Sequence, residues 1–159
     1  MIWPACPAIS AHPHGRAIQR YAAAWTGDNT SSEEHMLAGV RLVNSLGLSG
    51  VAFSGYDIGG FAGEASKSLF ARWMSIATFS PFYRAHSMIN SNDAEPWSFG
   101  EEVEEISRHY MKLRYQMLPT LYSNFFKSTQ TGLPIAKSLA IDYPYDARVY
   151  EDMYQNQYL

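Results

Sequence analysis

The sequence predicts an α/β fold of parallel strands joined by crossover helices, and three observations predict it. Short apolar runs alternate with amphipathic patterns in the order strand, helix, strand, helix, strand, helix, followed by a final extended region. No linker, repeat or low-complexity tract separates these pieces. Ionisable residues follow each apolar run at a corresponding place: Asp28 after "AAAW", Asp57 after "VAFSGY", and Arg84 with His86 after "FSPFY". In a parallel arrangement such places are the carboxyl ends of strands, where the connecting loops converge on one face.

The elements follow in chain order. "AAAW" is the first strand, and it stops at Gly27, Asp28 and Asn29. Ser31 and Glu34 have capping-box spacing, and Met36, Leu37, Val40, Val43 and Leu46 then recur on one helical face until Gly47. "VAFSG", residues 51 to 55, is too short for a helix and reads as a buried strand entering a tight turn at Tyr56-Asp57-Ile58-Gly59-Gly60. Leu69, Phe70, Trp73, Ile76 and Ala77 share a face of the next helix, and "FSPFYRAHS" supplies another strand. A third helix is expected from Ser98, with a second capping box to Glu101, a first turn of glutamates and a stripe of Val103, Ile106, Tyr110, Leu113 and Met117. Pro119 should kink or restart it. Beyond Gly132 the Pro-containing "LPIAKSLAIDYPYD" predicts strands.

Composition narrows the function classes. Of 159 residues 47% are hydrophobic, enough for a domain-sized core. A net charge of −3 with scattered Lys and Arg offers no field for a phosphate backbone, so nucleic acid is not an expected partner. The single cysteine, Cys6, excludes an internal disulfide and a cysteine-rich zinc site. His35 and His109 lack metal-ligand spacing to another His or acid, and "GGFAGEAS" lacks the lysine of a phosphate loop, so no metal or cofactor is expected. No basic leader precedes a continuous apolar segment, and no run approaches the ~18 residues of a membrane span; the expectation is a soluble, cytoplasmic chain with no membrane partner.

Taken singly, the strand-end residues have ordinary readings. Asp28 in "GDNTSS" and Asp57 before two glycines suit turns, and Arg84 and His86 suit pairing with a nearby acid. Three strand ends in succession with ionisable side chains point instead to one site.

"RYAAAWTGDN" followed by "SSEEH", then "LGLSGVAFSGYDIGGFAG", "LFARWM", "PFYRAHS", "EPWSFGEEVEEI" and "LRYQMLPTLYS", resembles the latter half of the catalytic barrel of glycoside hydrolase family 31 over residues 16 to 159. This is the α-glucosidase and α-xylosidase family. The resemblance implies the last strands and helices of a (β/α)8 TIM barrel over residues 1 to 131 and the start of a β-sandwich domain over 132 to 159. It implies a retaining α-glycosidase acting on terminal α-linked glucose, without a cofactor. Such chemistry needs one carboxylic acid to protonate the departing oxygen and one carboxylate to trap the sugar, about 5 Å apart. Asp28 matches the family's general acid/base. Asp57 matches a position that binds sugar hydroxyls, Arg84 and His86 match the pair that binds the sugar at the cleaved residue, and Trp25 offers a flat wall for a pyranose face.

Three positions depart from that pattern. The family's nucleophile lies in a W-x-D-x-N-E type motif, which these 159 residues do not contain. His12, in the atypical opening of residues 1 to 15, stands where the family usually has Arg, and Glu33 stands where it commonly has Trp. The expectation is therefore a piece of a longer enzyme, inactive and aggregation-prone by itself. α-Xylosidase, transglycosylase and non-catalytic sugar-binding readings are the alternatives, and nothing in the sequence sets the oligomeric state.

Overall fold

The computed structural model describes residues 22 to 155 and residue 157. The atypical opening, including Cys6 and His12, lies outside the described residues. Among those described, three strands form one sheet in the order β1 (Ala24–Trp25), β2 (Ser54–Ile58), β3 (Phe82–Ala85), every pairing parallel. The crossovers are α1 (Glu33–Leu48) and α2 (Lys67–Ala77), and α3 (Glu101–Thr131) follows β3.

β2 is buried along its whole length, which parallel strands need because helices cover them. Alternation of side chains sends Tyr56 and Ile58 to one face, where they join Met36, Val40 and Val43 of α1 and Phe70 and Trp73 of α2 in the core. Gly55 and Asp57 point to the other face. There β2 and β3 approach so closely that a Cβ on Gly55 would run into the carbonyl oxygen of Phe82. Arg114 of α3 secures the turn between α2 and β3, donating to the carbonyls of Thr78 and Ser80 at 2.7 Å and of Pro81 at 2.9 Å. Its guanidinium also lies 4.7 Å from the Tyr83 ring centre.

Several local expectations are corrected. The second strand is 54 to 58 rather than 51 to 55, so the segment read as a turn, Tyr56-Asp57-Ile58, is itself strand. Ser32, not Ser31, caps α1 by accepting from the His35 N–H, because Ser31 turns its hydroxyl to the carbonyl of Ala62. α1 continues through Gly47, and Leu37 is exposed while Asn44 is buried. Pro96 at the start of a 3-10 turn, Pro96–Phe99, draws Ser98 into that turn, and Gly100 precedes α3 without a side-chain cap. α3 runs unbroken through Pro119, and only Val103 and Ser107 of it are fully buried. The strands expected beyond Gly132 are absent among the described residues. Ser138 and Asp146 instead cap short helical turns, α4 (Leu139–Asp142) and the 3-10 turn Ala147–Tyr150, with α5 (Asp152–Gln155) after them.

Candidate functional site

The register of the sheet assembles the strand-end residues. Trp25 lies beside Gly55, and Asp57 lies beside Arg84. In parallel strands such neighbours project to the same face. Asp57 is fully buried, and Arg84 Nε donates to its Oδ1 at 2.6 Å. Asp57 Oδ2 is buried without a hydrogen-bond partner among the described residues. Burial pushes the Asp57 carboxyl above its ordinary value; Arg84, by hydrogen bond and charge, and His86 pull it down, and the charge of Asp28 adds to the upward push. Asp28 and His86 are thus near enough to act on Asp57 through space, and both side chains are exposed.

Arg84 is held on three sides. Its guanidinium carbon sits 5.0 Å from the Trp25 ring centre and 5.8 Å from that of Phe82, while Asp57 takes its Nε. Trp25, expected as a sugar wall, therefore has one ring face against Arg84. His86 packs its ring 5.4 Å from that of Phe61, tilted by 30°. The structure thus brings Trp25, Asp57 and Arg84 into direct contact, with Asp28 and His86 flanking them. Glu33 forms an ion pair of 2.5 Å with Arg72 of α2 and ties the start of α1 to that helix.

Sequence reasoning missed two residues here. Asn29 is buried and bonded across the loops after β1 and β2, and Phe61 links the second of those loops to His86. Neither has a local sequence signal, since the partners of Asn29 lie 28 and 32 residues away. A cleft of about 490 Å³ opens alongside, bordered by Ser31, Gly60, Lys67, Ser87 and Phe99. Its lining does not include Asp28, Asp57, Arg84 or His86. Among the described residues no cluster of three or more His, Cys, Asp or Glu is arranged to hold a metal, and no helix is long and apolar enough to cross a membrane.

Residues 7 to 124 match the model of the glycosyl hydrolases family 31 TIM-barrel domain. Alpha-glucosidase 2 of Bacillus thermoamyloliquefaciens is 47% identical over 133 residues, 84% of this chain and 17% of that protein. Glucosidase 2 subunit alpha of Saccharomyces cerevisiae is 41% identical over 132 residues, 83% of this chain and 14% of that protein. Among solved structures, a family 31 alpha-glucosidase from Bacteroides thetaiotaomicron superposes with a TM-score of 0.79 at 38% identity, covering 87% of this chain and 23% of that one. A Flavobacterium johnsoniae family 31 dextranase complexed with glucose gives 0.81 at 32% identity, covering 88% and 18%. The chain spans about a sixth of the length of the curated relatives it matches.

Proposed function

The chain belongs to glycosyl hydrolase family 31, its parallel sheet and helices being part of an α/β barrel, and we propose that it supplies the acid-bearing portion of a retaining α-glucosidase. In this reading Asp28 protonates the departing glycosidic oxygen and then, as a carboxylate, activates the water that releases the sugar. Arg84 and His86 hold the sugar ring. Asp57, expected to bind sugar hydroxyls, is fully buried and acts by fixing Arg84 in place, while Trp25 backs the guanidinium on one ring face and lends the pyranose an apolar surface.

One observation supports the reading most directly. A buried carboxylate and an arginine face each other in register on adjoining strands, with an exposed carboxylate and an imidazole at the same end of the sheet. The groups that must meet one sugar ring thus come from successive strands and the loops that follow them. The nucleophilic carboxylate comes, on this proposal, from residues other than these 159, so the chain alone does not turn over. We place the edge of the barrel portion at Gly132, where α3 ends in a left-handed cap, and assign residues 132 to 159 to the approach to a β-rich domain.

The test is made on the full-length polypeptide that carries this chain. Hydrolysis of 4-nitrophenyl α-glucoside, whose leaving group is not itself a glucose, should release glucose that is first the α-anomer by NMR, and Asp28→Asn should lower kcat on maltose at least about a hundredfold. Release of β-glucose, or an unchanged rate in the Asp28→Asn protein, sinks the reading.

A further inference from the structure

We propose that Asn29 is a positioning residue for Asp28, setting where the acid stands relative to the Asp57 and Arg84 pair. The inference rests on the reading of Asp28 as the acid. Among the described residues no hydrogen bond holds the Asp28 carboxyl, which is exposed, so its placement must come from the backbone that carries it. That backbone is fixed on its far side by Asn29, which is 7% exposed.

Every polar group of the Asn29 side chain is used across the gap between loops. Its Nδ2 donates to the carbonyl of Asp57 at 3.1 Å, and its Oδ1 accepts from the Phe61 N–H at 3.0 Å. Its own carbonyl accepts from the N–H groups of Phe61 at 2.8 Å and Ala62 at 3.0 Å. Two residues along, Ser31 donates its N–H to the carbonyl of Ala62 at 2.9 Å. The third loop joins at the same point, since the Met88 N–H donates to the carbonyl of Phe61 at 2.9 Å.

The side chain of Asn29 thus ties the residue after the acid to the residue that holds Arg84. A carboxamide suits this junction because it presents a donor and an acceptor on separate atoms at the same short reach. The main-chain bonds survive when the side chain is removed, so the loop should loosen and shift rather than unfold. A small displacement of a proton donor costs most where the proton is most needed.

That consequence separates positioning from general damage. Departure of a glucose alkoxide from maltose requires proton donation, whereas 4-nitrophenoxide leaves with little help. In the full-length polypeptide, kcat/KM reports the bond-breaking step for both substrates. Asn29→Ala should lower it at least about tenfold for maltose and less than about twofold for 4-nitrophenyl α-glucoside. Asn29→Asp keeps the acceptor for Phe61 but sets a carboxylate against the Asp57 carbonyl, and it should show the same selective loss if the alanine variant folds poorly. Asp28→Asn is run alongside and should be more selective still. If Asp28→Asn is selective while the Asn29 variants lower both substrates equally, or neither, the positioning role is overturned and Asp28 keeps its own. If Asp28→Asn itself does not discriminate, the acid assignment has failed and the role of Asn29 falls with it.

Discussion

α2 and the distal half of α3 carry similar aromatic residues in opposite surroundings. Phe70 and Trp73 of α2 are fully buried, between β2 on one side and Phe99 and α3 on the other. Tyr115, Leu118, Tyr122 and Phe126 of α3 are all exposed, Tyr115 by 74%. Apolarity sets what a side chain stands to gain from burial, but burial itself depends on what is packed opposite. The proximal half of α3 has such neighbours: Val103 and Ser107 face the core, and Arg114 closes the turn before β3. Beyond Arg114 the helix reaches the residue just before β2 through Phe125, whose ring meets that of Phe53 edge-on at 5.7 Å.

The largest effect should come from emptying the buried side of this contrast. Trp73→Ala should destabilise the chain by about 3–5 kcal/mol in urea unfolding, a large part of a small domain's stability. A loss below 1 kcal/mol would mean that α2 is not the anchor of the core. Gly60→Ala tests the loops above that core. With φ at +93° and a new Cβ only 2.5 Å from the Ser31 nitrogen, it should cost about 1–3 kcal/mol and force the loops after β1 and β2 apart. Faster amide exchange at Phe61 and Ala62 would register that separation.

Asp57 gives a pH-dependent signature. Its folded carboxyl is raised above 3.8, so its contribution to stability is full below that value and is lost as pH rises through the folded value. Asp57→Asn should remove that part of the slope of unfolding free energy against pH from 3.8 upward. An unaltered slope would show that Arg84 offsets the burial completely. The smallest change belongs to the exposed face, where Phe126→Ser should shift stability by no more than about 0.5 kcal/mol while reducing light scattering of concentrated chain. A cost comparable to that of Trp73→Ala would erase the difference between the two helices.

What was legible in the sequence was governed by short range. The face of α2, and that of α1 apart from Leu37 and Asn44, followed from helical periodicity, and the strand-end polar residues followed from the alternation of apolar runs with helices. The limits of β2 did not, because "VAF" is as apolar as the true strand and Gly55 and Asp57 both suggest a turn. Their strand conformation comes from β3, whose close approach Gly55 permits and whose Arg84 pairs with Asp57. The segment after Gly132 failed for the converse reason. Two prolines outweighed Ser138 and Asp146 in the sequence reading, yet local caps decide such short turns. The strand-end set was visible residue by residue, but the stacking of Arg84 on Trp25 and the bridge made by Asn29 are properties of the register.

The all-parallel pairing also has a consequence in time. Among the described residues no two strands join as a hairpin, so β2 has no local partner when it leaves the ribosome. Arg84 follows Asp57 by 27 residues. At about 5–20 residues per second, roughly one to five seconds of synthesis separate the carboxylate from its counter-charge and the strand from its open edge's partner. During that interval Asp57 is best left hydrated, and the nascent β2 edge is a binding opportunity for a chaperone. Variants that slow translation between these two residues should therefore lower the yield of folded chain without altering a single contact in the finished structure.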